Sequence, residues 1–232
     1  MKTGATFSSV LAAICIAFSS GCSGGDQGGS VQPIADSMKV ADSLAAQPLL
    51  ENLLGIADEA TLIRLYGKER VKYDTIWGAE GFFSMGTILK TEPESHIEIT
   101  WINDSLKTDV VSVTQVSDTD WYADTLARGQ WKSITGVEVG MTIDKLQKIN
   151  GRVFRFSGFG WDYAGGVISW QGGTLEGKGI AVQLSEGPAP DSMKMSEAES
   201  AQIFGDVEVQ SDNPLLKPFA PRVWSISVAT VK

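Results

Sequence analysis

Apolar and polar residues alternate along several segments of this chain, and a period of two residues predicts β-strands. The alternation is clearest over residues 96–101, where Ile97, Ile99 and Trp101 stand between polar neighbours. Such a strand has one buried face and one face towards solvent. Similar segments bounded by glycine, proline or polar turns predict further strands at 71–77, 82–89, 109–116, 129–135, 153–157, 167–170, 179–184 and 223–231.

Two helices are predicted from the residues that start and end them. Asp58 and Thr142 have side chains that accept hydrogen bonds at a helix N-terminus, and Gly67 and Gly151 suit the end of the last turn. Each helix carries two apolar residues on its inner face, namely Leu62 and Leu65 in the first and Leu146 and Ile149 in the second. Short helices are also predicted at 36–45 and 196–204.

The two helices and the strands after them follow in the same order, which indicates an internal duplication. At an offset of 84 residues five pairs of positions coincide, namely Leu62 with Leu146, Leu65 with Ile149, Gly67 with Gly151, Trp77 with Trp161 and Gly81 with Gly165. Identity is low elsewhere, so a chance alignment of common residues is the competing explanation. We predict an α+β fold of two tandem helix-plus-antiparallel-sheet repeats, at 51–128 and 129–232, with the sheets joined or packed and the helices on one side.

The start of the second repeat resembles a known signature. Gly140-Met141-Thr142, followed by apolar residues at Leu146 and Ile149 and by Gly151, is similar to the helix and turn of the SmpA/OmlA-type outer-membrane assembly lipoproteins. The tandem β-lactamase-inhibitor proteins look like two copies of a related unit. The resemblance covers residues 140–151, and Arg152 follows where these families commonly have a proline. It implies a two-repeat α+β fold and a binding role, and it carries over no functional residue.

The N-terminus predicts export. Lys2 precedes an apolar run over 10–18, and Ser19-Ser20-Gly21-Cys22 follows. This arrangement resembles the bacterial lipoprotein signal, in which a small residue precedes the lipidated cysteine, although Ser19 stands where leucine is commonest. We predict a signal peptide over 1–21, lipidation of Cys22, and a tether with a short helix over 22–50; an ordinary secretory signal is the alternative. The apolar run is much shorter than the about 20 residues of a membrane-spanning helix.

Charge and location follow from the same signal. Cleavage before Cys22 removes Cys15 and Lys2, so the formal net charge changes from -9 to -10 and no thiol remains except that of Cys22. Nucleic acid is a poor partner for such a chain, and so is the charged surface of anionic lipid. The chain is similar to lipoproteins that are common in Gram-negative genomes. This resemblance implies a cell-envelope location, on the outer membrane or its periplasmic face, with the N-terminal lipid as the membrane attachment.

The sequence contains no recognisable catalytic or metal-binding set. His96 is the single histidine, no Gly-x-Ser-x-Gly turn presents a nucleophile, and one histidine without a free thiol cannot supply the usual zinc ligands. Residues 118–129 begin like a calcium loop but lack the glycine at position six and the glutamate at position twelve. We therefore predict no enzyme, no metal and no cofactor, with His96 solvated on the polar face of its strand.

Aromatic residues between glycines are the remaining candidates for a site. The segment 158–170 contains Trp161, Asp162, Tyr163 and Trp170, which we predict as binding residues in a groove; the competing explanation is that such aromatics form core. The leading hypothesis is a non-enzymatic module that binds an envelope protein. One alternative is a glycan or small ligand bound near Trp161 and Tyr163. The other is a hydrolase that uses a pair of carboxylates, for which the candidates are Glu80, Glu98, Asp162 and Glu176.

Overall fold

The computed structural model describes residues 48–91, 95–123, 126, 130–188 and 195–229. Over these residues the chain is a mixed α+β protein, built mainly from antiparallel sheets with few helices. The signal peptide, Cys22 and the helix predicted at 36–45 lie outside the described residues.

The described part of the chain contains nine strands in two sheets. The strands are β1 (Val71–Trp77), β2 (Phe83–Thr91), β3 (Ser95–Asn103), β4 (Thr108–Ser117), β5 (Arg155–Ser157), β6 (Val167–Ser169), β7 (Ile180–Ser185), β8 (Glu208–Gln210) and β9 (Arg222–Ala229). A six-stranded sheet has the order β1-β2-β3-β4-β9-β7, a three-stranded sheet has the order β6-β5-β8, and every pairing between these strands is antiparallel. An isolated antiparallel bridge between Gly166 and Gln183 connects β7 to the segment before β6.

The helices are short, and the starts predicted at Asp58 and Thr142 are confirmed. Asp58 accepts a hydrogen bond from the backbone N–H of Thr61 at 2.7 Å, and Thr142 accepts one from the N–H of Lys145 at 3.4 Å. Three short 3-10 turns supplement the helices, at Lys68–Arg70, Ala79–Gly81 and Pro214–Leu216. The helices are α1 (Leu50–Leu53), α2 (Glu59–Tyr66), α3 (Ile143–Asn150) and α4 (Glu197–Ser200).

Two segments differ from the sequence prediction. The strand predicted at 129–135 is absent from its described part, 130–135, which makes only isolated bridges at Lys132. Trp131 is nevertheless buried, so the apolar pattern of this segment reflects burial of a loop and not a strand. The three-residue strand β8 was not predicted, because a single buried residue, Val209, between two exposed ones is too short a pattern to recognise.

One face of the six-stranded sheet forms the core, together with the helices. The predicted inner residues of β3, Ile97, Ile99 and Trp101, are buried there. Helix α1 packs against β4 and β9, and α2 packs against β1. Leu62 of α2 and Leu146 of α3 are fully buried in this core. Apolar burial against the helices is therefore the main stabilising contribution to the sheet.

The opposite face of the sheet, which we call the open face, carries small and polar side chains. The strand register places Glu98, Thr114, Ser227 and Ala181 in one row across β3, β4, β9 and β7. The neighbouring row consists of His96, Val116, Ser225 and Gln183. None of these eight residues belongs to the buried core, and of the eight only Ala181 is exposed. The open face is therefore partly covered by other parts of the chain.

Candidate binding cleft

A cleft with a volume of about 580 Å³ lies over the open face at β7 and β9. Its walls are two chain reversals, which we call the first tip (residues 77–83, between β1 and β2) and the second tip (residues 158–166, between β5 and β6). The floor consists of Ala181, Val182, Gln183, Ser225 and Ser227. This volume lies within the range of small-molecule binding sites.

The first tip reaches the cleft because its hairpin is longer than the adjacent strand. β2 pairs with β1 from Phe83 onwards, whereas its pairing with β3 begins only at Thr87. The hairpin leaves the sheet at Gly86, where an added Cβ would lie 2.3 Å from Cδ1 of Ile76 and 2.9 Å from the carbonyl oxygen of Ile99. Glycine at this position therefore permits the close packing from which the hairpin extends.

The first tip exposes large apolar side chains. Trp77 and Phe82 are each 71% exposed, and Phe83 is 65% exposed. The rings of Trp77 and Phe83 contact each other with centroids 5.6 Å apart, and Met85 is exposed beside them. Several large apolar groups held in water at one hairpin end are typical of an interaction surface.

The second tip is fixed by the core beneath it. Trp161 is half-buried against the core, and its indole N–H donates a 2.8 Å hydrogen bond to the carbonyl of Gly158. Its ring meets Tyr163 edge to face at 5.2 Å, and Tyr163 is 46% exposed towards the cleft. Gly165 has φ of 70°, and an added Cβ would lie 1.9 Å from the carbonyl oxygen of Leu184. This tip is therefore packed tightly against β7.

The structure places two of the four predicted binding residues in the cleft and two outside it. Asp162 and Tyr163 line the cleft, while Trp161 does not line it and instead supports Tyr163. Trp170 is only 7% exposed and packs against Phe154 with ring centroids 5.3 Å apart. Because Trp170 is part of the core and does not line this cleft, we exclude it from the site.

The first tip was missed as a functional site by sequence reasoning. Of its residues, only Glu80 was predicted as a functional candidate, namely as a carboxylate of a hydrolase. The overlooked signal is that Trp77, Phe82 and Phe83 flank this turn directly. These aromatic residues do not reach the core, because the core lies under the middle of the sheet and the hairpin end extends beyond it.

Two carboxylates line the cleft from different walls. Glu80 belongs to the first tip and Asp162 to the second, and no lysine or arginine lines the cleft with them. Within the described chain, neither acid makes an ion pair or hydrogen bond. The other two candidate acids lie elsewhere: Glu98 contacts His96 on β3, and Glu176 lines a separate pocket.

His96 lies on the predicted strand and face, but the prediction that it is solvated is wrong. Its Nδ1 is 2.5 Å from an Asp118 carboxylate oxygen, and its Nε2 is 3.4 Å from Glu98. The hydrogen bond with Glu98 raises the pKa of His96 above its usual value, Asp118 adds to this, and burial opposes it. The histidine is therefore part of a charge cluster on the open face.

Comparisons of the chain with protein-family models, with curated proteins and with solved structures found no match. Within the described ranges, no helix has the length and apolar character needed to cross a membrane. The same ranges contain no group of three or more His, Cys, Asp or Glu side chains that could hold a metal ion. The function has to be inferred from the chemistry of the cleft.

Proposed function

We propose that this chain is a non-enzymatic, lipid-anchored protein of a Gram-negative cell envelope that binds another protein through the two tips and the cleft between them. The lipid would be attached at Cys22, following the lipoprotein-like signal. The observation that carries the binding role is the exposed aromatic group at the first tip, Trp77, Phe82 and Phe83. Aromatic side chains of this kind supply most of the binding energy in protein interfaces.

A protein partner suits this surface better than a bilayer does. The first tip carries Glu80 beside its aromatic residues, and the mature chain is strongly acidic. Anionic lipid repels such a surface. Exposed aromatic residues are instead enriched in protein interfaces.

The two-repeat organisation belongs to the same proposal. α2 and α3 have equal lengths, and their first and last residues correspond at the offset of 84. The same offset relates the first residue of β1 to that of β5, and of β2 to that of β6. β4 pairs with β9, so the last strands of the two halves adjoin. In this interpretation α4 and β8 are additions to the second repeat.

The repeats give the cleft a simple origin, because the first and second tips occupy equivalent positions in the two halves. Superposition of the halves tests this interpretation. The helix and four strands of each half should superimpose in the order β1, β2, β3, β4 on β5, β6, β7, β9. A superposition that requires a different strand order would contradict the duplication.

Site-specific photo-crosslinking in intact envelopes tests protein binding. A photoreactive amino acid at Phe82 should give discrete adducts that disappear after proteolysis of the partner. Ile134 provides a matched control, since it is 72% exposed and lies outside the cleft. Absence of adducts at Phe82, lipid adducts alone, or the same adducts from both positions would contradict the proposal.

Binding of a glycan or small ligand is a second candidate function, favoured by the composition of the cleft. The ring of Tyr163 lies beside Asp162, and Gln183 and Ser225 supply hydrogen-bonding groups on the floor. A screen of envelope saccharides by thermal shift tests this candidate. A hydrolase that uses Glu80 and Asp162 would cleave the saccharide, and both Glu80→Gln and Asp162→Asn would abolish cleavage. Binding of the saccharide without cleavage would support a binding function and exclude the hydrolase.

A further inference from the structure

We infer that the cleft recognises a basic side chain of the partner, an arginine or a lysine. The cation would be held by the carboxylates of Glu80 and Asp162 and by the ring of Tyr163. This inference rests on the proposed function, because it assigns the chemistry of the partner at the same site.

The charges in the cleft favour a cation. Glu80 and Asp162 bring two negative charges to one concave surface without a basic residue beside them. The floor residues Gln183, Ser225 and Ser227 are neutral and offer oxygen atoms as acceptors. Glu59, by contrast, is paired with Lys107. A basic group from outside would pair with two exposed carboxylates that have no ion-pair partner in the described chain.

The aromatic lining favours the same ligand. Tyr163 lines the second wall, and the face of such a ring attracts cations. The molecule already contains one cation site of this composition: the ammonium of Lys107 lies 4.1 Å from the centre of the Tyr73 ring and 2.9 Å from a carboxylate oxygen of Glu59. An acid and an aromatic ring thus hold a lysine elsewhere in this fold.

The backbone at Glu80 is strained. Glu80 has φ of 57°, a left-handed conformation that favours glycine or asparagine. Lys107, Asp109, Gln171 and Ala220 also have positive φ, so the charges and the ring of the cleft carry the inference and this strain does not.

The experiment uses the full chain in detergent micelles, labelled with 5-fluorotryptophan and observed by fluorine NMR. The probes are the N-acetyl amides of arginine, of lysine and of citrulline, which has nearly the shape of arginine without its charge. Arginine or lysine should shift the Trp77 resonance with a dissociation constant on the order of 1–10 mM, as for a single weakly held group. Citrulline should bind at least about tenfold more weakly.

Paired variants identify the carboxylates. The double variant Glu80→Gln and Asp162→Asn should lose the arginine-induced shift. The control variant Asp206→Asn and Asp212→Asn should keep it, because these exposed acids lie outside the cleft. The resonances of the other tryptophans, unchanged in both variants, establish that the fold is intact.

Three results would overturn the inference: equal binding of citrulline and arginine, retention of the shift in the Glu80 and Asp162 variant, or no shift with either basic probe at about 50 mM. The crosslinking experiment distinguishes a failure of the basic-side-chain inference from a failure of the proposed protein-binding function. Protein adducts at Phe82 together with a negative probe result would exclude basic recognition but keep the protein-binding role.

Discussion

The first and second tips form opposite walls of one cleft, but their tryptophans have different surroundings. Trp77 is exposed and contacts only its own hairpin neighbour Phe83 among aromatic rings. Trp161 packs against the core and donates a hydrogen bond to the backbone of Gly158. The glycines four residues later differ in the same way, since an added Cβ meets nothing within 4 Å at Gly81 but meets Leu184 at Gly165.

This difference indicates that sequence position alone does not define the role of these residues. The second tip follows the three-residue strand β5 and lies directly on β7, so Trp161 is half-buried against the core. The first tip follows the long β1–β2 hairpin and extends beyond its sheet, so its aromatics remain in water. We interpret the second tip as a fixed wall and the first as the arm that contacts the partner.

The largest expected effect comes from the two glycines. Gly165→Ala should reduce the free energy of unfolding by about 3 kcal/mol or more, because a backbone clash adds to the cost of a left-handed residue. Gly81→Ala should lose about 1–2 kcal/mol, from the left-handed conformation alone. Urea unfolding of both variants measures these values, and equal losses would break the contrast between the tips.

The two tryptophans should give the next largest effect. Trp161→Ala should lower the free energy of unfolding by about 2 kcal/mol, through lost packing and a lost hydrogen bond. Trp77→Ala should lower it by less than about 1 kcal/mol, because only contacts within an exposed hairpin are lost. Urea unfolding checks both values.

The two tryptophan substitutions should have the opposite order of effect on partner binding. The yield of protein adducts from a crosslinker at Phe82 should fall strongly in Trp77→Ala. It should fall less in Trp161→Ala, measured at a temperature where that variant is folded. A greater loss of adducts in Trp161→Ala than in Trp77→Ala would show that the roles assigned to the tips are wrong.

The smallest expected effect is a stabilisation. Glu80→Gly should increase the free energy of unfolding by about 0.5 kcal/mol, because relief of the left-handed strain exceeds the added flexibility of the unfolded chain. Asp162→Gly provides the matched control at the second tip and should not stabilise, since Asp162 is not among the residues with positive φ. Chemical unfolding measures both, and a loss of stability in Glu80→Gly would remove the strain argument.

Much of the fold was predictable because local rules determine it. The caps at Asp58 and Thr142 and the alternation around Ile99 act within a few residues, and the structure contains the expected helices and strand. The contents of the site were less predictable. Glu80 and Asp162 are far apart in the sequence, and nothing in the local pattern indicates that their two turns meet. The burial of Trp170 likewise depends on its contact with Phe154, which lies just before β5.

Hydroxyl-radical footprinting of the full chain gives the most direct test that the two tips form one binding surface. Oxidation rates are compared between intact envelopes and the purified protein in detergent. Trp77, Phe82 and Tyr163 should all oxidise at least about threefold more slowly in envelopes, because a partner covers them together. Tyr122, which is exposed outside the cleft, should oxidise at the same rate in both preparations. Equal rates for all four residues in the two preparations would contradict the account.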